Sequence, residues 1–285
     1  MSTLSKILGL VILGVCLAVV GSYTAGSYLI SPAHTDTEPK PPEAEAVQFN
    51  SKNGRISGWL SSTEDPIASV LLLHGVRSNK SSMRARIELA NSLKLNALAI
   101  DLQAHGESEG STITFGHLES HDVSAAVEYL RGQSEMPIFV VGVSLGGAAA
   151  LLSNPPIEVN GMILEAVYPN ISKAISNRLE MRVPYGGLAT PLLTVQLSPR
   201  LGISISQLSP EQAAHKVTVP VAILNGTLDE QTTTSDARKL FAAFQTEKRL
   251  EFFRGARHVD LQAFDPKHYK DIFSRFISEH LPDDA

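Results

Sequence analysis

IFVVGVSLGGAAALL, residues Ile138–Leu152, is the stretch that decides the fold of this chain. Ile138–Val143 is apolar on both faces, as expected of a strand at the centre of a parallel sheet covered by helices. The small residues that follow predict the first turns of a packed helix. Ser144 therefore lies in a sharp strand-to-helix turn, where Gly142 and Gly146, two positions before and after it, relieve steric crowding.

Such a turn exposes the serine hydroxyl at the carboxyl end of the strand, which is the geometry of a nucleophile elbow. The alternative is a glycine-rich turn with a serine cap. A nucleophilic serine needs a base that takes its proton, an acid that orients the base, and backbone donors for the oxyanion. The rest of the sequence decides between the two interpretations.

Strand and helix patterns alternate along the chain, which predicts an α/β fold with a mostly parallel sheet and an antiparallel start. The predicted strands are Val47–Asn50, Arg55–Leu60, Ser69–Leu73, Ala97–Ile100, Ile138–Val143, Met162–Leu164, Val221–Leu224 and Arg249–Phe253. Residues 166–214 interrupt this rhythm, are rich in Pro and Gly and carry apolar patches of their own. We expect them to form a cap inserted after the sixth strand.

Two residues with the required chemistry follow the last two strands. Asp229 comes after the seventh strand and His258 after the eighth, so the chain order is Ser144, Asp229, His258. The carboxyl ends of these strands meet at one edge of the sheet, where a carboxylate orients a histidine that activates a serine. Glu230 competes with Asp229, and Glu165, at the end of the sixth strand, is the second choice. Asp260 is only two residues from His258 and is badly placed to reach the far ring nitrogen.

The third strand ends in LLLHGVRSN, residues 71–79, beside the expected elbow. Gly75 lets the next amide approach closely, so the backbone N–H groups of Val76 and Leu145 are the candidate oxyanion donors. His74 comes before the serine in the chain, which is the wrong order for the base. We interpret His74 as a residue that structures this turn.

On these motifs the sequence resembles the α/β-hydrolase fold superfamily, and most of all its serine aminopeptidase and monoacylglycerol lipase-like branch. The motifs are LLLHGVRSN, AIDLQAHGESEG, GVSLGGAAAL, NGTLDE and GARHVD. The resemblance covers about residue 47 to the carboxyl terminus. The sequence differs from that branch at Gln103-Ala104, where the branch usually has arginine and glycine. This loop shapes the entrance of the site, so we expect the difference to affect substrate specificity.

Composition narrows the functional classes. The 285 residues are 43% hydrophobic, enough for one α/β domain with a large core, and the net charge of −5 provides no basic field for nucleic acid. Cys16 is the only cysteine, which rules out an intrachain disulfide and a cysteine-based metal site. His117 and His121 are four residues apart, and we interpret them as a solvated helix face rather than a metal site. The expected chemistry needs no metal and no organic cofactor.

Residues 7–30 carry no charge and are long enough to cross a bilayer as a helix. We interpret residues 1–30 as an uncleaved membrane anchor; the alternative is a cleaved signal peptide, because Ala25-Gly26-Ser27 is a tolerable cleavage site. Lys6 precedes the segment and the next basic residue is Lys40, which predicts a cytoplasmic amino terminus and an extracytoplasmic domain. Residues 31–46 are Pro- and Glu-rich and predict an extended linker to a hydrolase domain at 47–285.

The sequence therefore predicts a membrane-tethered serine hydrolase that acts on small or lipid-like acyl esters. A serine aminopeptidase, a thioesterase and an acyltransferase remain alternatives on the same fold, as does a non-catalytic membrane-tethered binding protein. Part of the cap's apolar set is expected to line a pocket over Ser144. The cap's charges are mixed, so the sequence does not indicate a strongly charged substrate.

Overall fold

The computed structural model describes residues 3–282. Eight strands form one sheet in the order β1-β2-β4-β3-β5-β6-β7-β8. The strands are β1 Ala44–Ser51, β2 Gly54–Ser61, β3 Ala68–Leu73, β4 Leu95–Ile100, β5 Ile138–Val143, β6 Gly161–Glu165, β7 Val221–Gly226 and β8 Lys248–Phe253. β2 pairs antiparallel with both β1 and β4, and the remaining neighbours pair in parallel. The predicted α/β fold with an antiparallel start is confirmed.

Helices cover both faces of the sheet. They are α1 Thr3–Ile30, α2 Arg84–Ser92, α3 Glu119–Gln133, α4 Leu145–Leu152, α5 Ile171–Glu180, α6 Thr190–Leu201, α7 Pro210–Ala214, α8 Thr234–Ala243, α9 Leu261–Phe264 and α10 Pro266–Glu279. One core contains residues of α3, α4 and α8, and the other contains residues of α2 and α10. Successive residues of β3 alternate between the two cores, as the period of a strand requires: Leu71 and Leu73 pack on one side, Val70 and Leu72 on the other.

The first strand begins earlier than the sequence predicts. β1 starts at Ala44, which pairs with Ser61, so the last three residues assigned to the linker belong to the sheet. Pairing along the whole length of β2 accounts for the extension, because a strand partner satisfies the backbone groups of these residues. Upstream of β1, the Ala33 N–H donates to the carbonyl of Ala104 at 2.7 Å, which holds this part of the chain against the loop after β4.

Gln103 and Ala104 lie in the loop after β4, at positions where the resembled branch usually has arginine and glycine. This difference affects the backbone conformation of the loop. Ala104 has φ +59° and Gly106 has φ +48°, both in the left-handed region. A Cβ on Gly106 would lie 2.4 Å from the Asp101 carboxylate, so only glycine fits there. Ala104 therefore accepts a conformation for which glycine is better suited, at the position where the resembled branch usually has glycine.

Between β6 and β7 the chain forms α5, α6 and α7, and α6 packs beside α1. Ser22 donates from its Oγ to the carbonyl of Leu192 at 2.9 Å, and Arg200 donates to the carbonyl of Tyr23 at 3.1 Å. The Arg200 guanidinium also lies 4.2 Å from the centre of the Tyr23 ring. Arg200 also donates to the Oγ of Ser27 at 3.1 Å. Position 192 of α6 thus lies beside position 22 of α1, and position 200 lies beside position 27, so the two helices run in the same direction.

Candidate active site

Ser144 occupies a strained turn between β5 and α4. Its φ is +48° and its ψ is −103°, and its backbone N–H donates to the Glu165 carbonyl at 2.8 Å. A Cβ on Gly146 would lie 2.5 Å from the carbonyl oxygen of Leu73 in β3, and a Cβ on Gly142 would lie 2.5 Å from the Cα of Gly147. Both glycines are therefore required by the close approach of backbone to backbone, within the elbow and across to the neighbouring strand.

Asp229 and His258 are brought together by the loops after β7 and β8. His258 Nδ1 and Asp229 Oδ2 are 2.7 Å apart, and the Asp229 side chain is fully buried while His258 is about one-fifth exposed. The other carboxylate oxygen, Oδ1, accepts from the backbone N–H groups of Gln231 and Thr232, each at 2.8 Å. The two backbone N–H groups and the ring N–H of His258 thus hold the carboxylate in one orientation. The carboxylate in turn orients the ring of His258.

The competing carboxylates are engaged elsewhere. Glu165 accepts from Arg86 at 2.6 Å and from the hydroxyl of Tyr269 at 2.6 Å. Asp260 binds Arg86 at 2.8 Å and accepts from the N–H of Ala263 at the start of α9. Glu230 makes a surface ion pair with Arg257 at 3.4 Å. Among residues 3–282, Asp229 is the only carboxylate bonded to His258.

Ser144 and His258 lie at the same sheet edge, although no hydrogen bond joins their side chains within the described part of the chain. Bonds of this kind are often long in free enzymes and shorten once substrate is bound. The backbone N–H groups of Val76 and Leu145 likewise have no acceptor among residues 3–282. Both residues border the same cavity as Ser144, so their free donors are available to a bound group.

His74 is fully buried beneath the turn that carries Val76. Its Nε2 accepts from the N–H of Leu102 at 3.1 Å, and its Nδ1 lies 2.7 Å from the carbonyl oxygen of Gly75. Burial, with the nearby His105, lowers the pKa of His74 to about 3, so the ring is neutral at physiological pH. These bonds tie the turn after β3 to the loop after β4.

A cavity of about 240 Å³ opens over Ser144. Its apolar wall includes Phe115, Tyr168 and Ile175, of which the last two belong to the apolar set expected over the serine. Other members of that set face outward, among them Leu188, which is 82% exposed. The predicted cap residues are therefore divided between the cavity, their own packing and the protein surface.

Several residues of this site are not predicted by any sequence pattern described above. Tyr28 and Leu29, at the end of α1, form part of the cavity wall, although the sequence suggests only an anchor there. Arg77 reaches the same place: it donates to the Tyr28 carbonyl and to Ser31, and it stacks 4.0 Å from the centre of the Tyr28 ring. Arg178 and Arg182 of the cap also border the cavity. Arg178 lies in α5 and Arg182 in the turn just after it, and their separation of four residues is the one pattern that could have suggested a shared position.

The sheet order, with its antiparallel start, and the strand–elbow–helix turn at its centre define an α/β-hydrolase fold. The sequence model of the alpha/beta hydrolase family matches residues 70–272, more than half of the chain. The chain belongs to the alpha/beta hydrolase family.

Its curated relatives include a lipase. The chain is 27% identical over 267 residues to the uncharacterized protein YfhR of Salmonella typhimurium, covering 85% of this chain and 84% of that protein. It is 24% identical over 233 residues to the monoglyceride lipase of Homo sapiens, covering 69% of this chain and 77% of the lipase. Among solved structures, an esterase of Pyrococcus furiosus superposes with a TM-score of 0.73 at 21% identity, covering 89% of this chain and 99% of the esterase. That likeness shows the common fold.

Proposed function

We propose that this protein is a serine hydrolase that cleaves carboxylic esters through an acyl-enzyme intermediate. The observation that carries the proposal is the 2.7 Å bond between Asp229 and His258 at the sheet edge where the strained elbow presents Ser144. The family membership and the lipase and esterase relatives support hydrolysis as the class of reaction.

In the proposed mechanism, His258 takes the proton of Ser144 as its Oγ attacks the ester carbonyl. Asp229 keeps the imidazole in the productive tautomer and stabilises its charged form. The N–H groups of Val76 and Leu145 bind the oxyanion. The protonated His258 then gives its proton to the leaving alcohol, and water, activated by the same ring, releases the acyl group from Ser144.

The cavity favours short to medium acyl chains. Its volume of about 240 Å³ lies below the ~300–1,000 Å³ usual for ligand pockets, and its walls combine Phe115, Tyr168 and Ile175. Each buried CH₂ contributes about 0.8 kcal/mol, so the rate should rise with chain length until the cavity is full.

The nucleophile is tested by labelling with a fluorophosphonate probe. We expect the parent protein to be labelled and Ser144→Ala to be neither labelled nor active, while circular dichroism shows the same fold. Ser153→Ala, just beyond the other end of α4, is the matched control and should keep both properties. Activity of Ser144→Ala near that of the parent would refute the proposal.

The bond that is cleaved is tested with a series of nitrophenyl esters of rising acyl length beside aminoacyl and prolyl anilides. We expect ester cleavage with a chain-length optimum and poor cleavage of the anilides. Faster cleavage of anilides would indicate a peptidase, and a thioester substrate and an acceptor alcohol in the same assay measure the thioesterase and acyltransferase alternatives. Absence of covalent labelling together with ligand binding would indicate the non-catalytic alternative.

We also propose that α1 anchors the protein in a membrane, with the catalytic domain outside the cytoplasm. By length and composition, Ser5–Ile30 is apolar enough to cross a bilayer, and its large side chains face outward: Leu10 is 69% exposed and Leu17 64%. A signal sequence passes the same test of length and composition. The anchor is favoured by the contacts of α1 with α6 at Ser22 and Tyr23, which cleavage of the segment would remove.

Orientation is tested with single cysteines, because Cys16 in α1 is the only native one. Lys270→Cys in α10 should react with a membrane-impermeant maleimide on intact cells. Thr3→Cys, at the other end of the anchor, leaves Lys6 in place and should react only after the membrane is disrupted. The reverse pattern would reverse the proposed topology, and an amino terminus at Tyr28 in the purified mature protein would indicate a cleaved signal peptide.

A further inference from the structure

The charges of the cap are not distributed evenly around the cavity. The cap sequence carries both signs, but among its charged residues only Arg178 and Arg182 border the cavity, and Arg77 joins them from the loop after β3. Within the described residues, no Asp or Glu side chain borders this cavity. Three arginines therefore border one small space in a chain whose net charge is −5.

Arg178 is the most informative of the three because it is partly buried and has no ion-pair partner within residues 3–282. Among residues 3–282 its guanidinium makes one hydrogen bond, from Nη1 to the carbonyl of Ala174 in its own helix at 3.0 Å. Its other two nitrogen atoms have no hydrogen-bond partner within these residues and are not fully buried. A guanidinium has five N–H donors, and burying its charge without a partner is unfavourable.

Asp229 does not neutralise Arg178 by direct contact. Both oxygens of Asp229 are already bonded, one to His258 and the other to two backbone N–H groups. Burial lowers the pKa of Arg178 from its ordinary value, while Tyr168 and Asp229 act in the opposite direction. An arginine side chain is protonated at physiological pH, so Arg178 brings a positive charge to the border of the cavity.

Arg77 and Arg182 differ from Arg178 in the contacts that their side chains make with the rest of the protein. Arg77 is held in place by Ser31 and by the ring of Tyr28, which fixes its charge at the rim next to α1. Arg182 is exposed and lies in the turn after α5, two residues beyond the end of the helix. Its side chain has no hydrogen bond or ion pair within the part of the chain that the structure describes. Two guanidiniums four residues apart can bind one carboxylate or phosphate together.

We infer that the Ser144 cavity selects esters that carry an anionic group, a carboxylate or a phosphate, and that Arg178 and Arg182 bind this group. The inference rests on the proposed ester hydrolysis and specifies its substrate class. Arg178 and Arg182 act as binding residues: they hold the anionic end while the ester carbonyl lies against Ser144. The unpaired, partly buried charge is thereby neutralised by substrate rather than by the protein.

Two pairs of probes test the inference, each differing only in charge at one end. The first pair is the mono-4-nitrophenyl ester of adipic acid and its methyl ester, which place a carboxylate or a neutral group on the acyl side. The second pair is octanoyl lysophosphatidic acid and monooctanoylglycerol, which place a phosphate or a hydroxyl on the alcohol side. The quantity compared is the ratio of kcat/KM for the anionic probe to that for its neutral counterpart.

We expect a ratio of about tenfold or more in at least one pair, since a hydrogen-bonded charge pair supplies discrimination of that order. The pair that shows it tells whether carboxylate or phosphate is recognised. The ratio should fall about tenfold in Arg178→Met and in Arg182→Met, and Arg178→Lys should recover part of it. Lys173→Met, an exposed cation of α5 that does not border the cavity, is the matched control and should keep the parent's ratio and activity.

The parent protein alone provides a test that does not depend on variant folding: the ratio should fall as ionic strength rises. A ratio near one in both pairs, or a ratio unchanged in both arginine variants, would overturn the inference and leave ester hydrolysis standing. Failure to cleave any of the four probes, together with failure of fluorophosphonate labelling, would overturn the proposed function and this inference with it. Labelling without cleavage of any of the four probes would overturn the inference alone, so labelling separates the two failures.

Discussion

Asp229 shows how much a single carboxylate depends on its surroundings. It and Glu230 are neighbours in sequence, yet one is fully buried against His258 and the other lies on the surface beside Arg257. The two backbone N–H groups of Gln231 and Thr232 turn Asp229 inward. The difference between these adjacent residues is therefore set by the conformation of the loop after β7.

We expect Asp229→Asn to lower kcat by about 10⁴-fold, because an amide at this position favours the wrong tautomer of His258. The fold should be preserved, since the amide oxygen still accepts from the backbone N–H groups. Steady-state kinetics with a nitrophenyl ester measure the loss. Glu230→Gln is the matched control and should keep activity near that of the parent; equal losses in the two variants would contradict the assignment.

The buried carboxyl of Asp122 makes the stability of the protein depend on pH. Burial raises the pKa of this carboxyl in α3 to about 7, although the hydroxyl of Ser51 and the N–H of Gln103 bond to it. The folded chain thus holds a proton at pH values where the unfolded chain has released it. The contribution to stability is full below the unfolded pKa, near 4, and is lost as the pH rises through about 7.

Asp122→Asn mimics the protonated acid at every pH. Relative to the parent, its free energy of unfolding should therefore improve by about 2 kcal/mol between about pH 5 and about pH 7. Urea unfolding at a series of pH values measures this difference. A difference between parent and variant that is constant with pH would contradict the raised pKa.

At the scale of elements, Arg86 joins three parts of the fold that carry the site. It extends from α2, is fully buried, and binds Glu165 at the end of β6 through two nitrogens, at 3.0 and 2.6 Å. It also binds Asp260, two residues after His258, at 2.8 Å. The guanidinium therefore holds the loop of His258 against the sheet, without touching the proposed reacting atoms.

Arg86→Met should lower the free energy of unfolding by about 3–5 kcal/mol, because it leaves the buried carboxylate of Glu165 without its charged partner. Where the variant is folded, kcat should fall more than KM changes, since a loosened loop places His258 less accurately. Arg249→Met removes a half-exposed pair with Glu279 and should cost less than about 1 kcal/mol. Similar losses in the two variants would show that the buried network does not have this role.

For the whole molecule, the parallel packing of α1 and α6 sets which surface faces the proposed membrane. Leu192 contacts α1 at Ser22, and Arg200 contacts α1 nearer to the carboxyl end of that helix. Leu188 precedes both residues in the chain, so it lies towards the amino-terminal part of the anchor. Around Leu188, several cap residues are exposed and apolar. They are Val183, Tyr185, Leu192 and Val195. An anchored α1 would bring this face to the lipid surface, beside the mouth of the cavity.

Tryptophan fluorescence tests this orientation in the full chain, because Trp59 is the only native tryptophan and is 3% exposed. In vesicles, the added emission of Leu188→Trp should be quenched by brominated lipid. Phe264→Trp, in α9 on the other side of the sheet, should be quenched much less. Equal quenching at the two positions would refute the orientation.

Which parts of this fold can be predicted from the sequence depends on how far apart in the chain the interacting residues are. Apolar runs of period two, helical periods and the glycines around Ser144 act over a few residues, so the order of strands and helices follows from local patterns. The bounds of β1 do not, because they depend on pairing with β2. The position of α1 against the cavity likewise depends on contacts between segments far apart in the chain, such as Tyr28 with Arg77.

The sequence by itself determined the α/β-hydrolase fold and placed Ser144, Asp229 and His258 at the carboxyl ends of separate strands. The tertiary structure alone decided which carboxylate meets His258, which arginines border the cavity, and that the apolar segment forms part of its wall. The physical reason is the range of the interactions. Backbone propensity and periodicity act between near neighbours, whereas ion pairs, burial and charge selection join residues that only folding brings together.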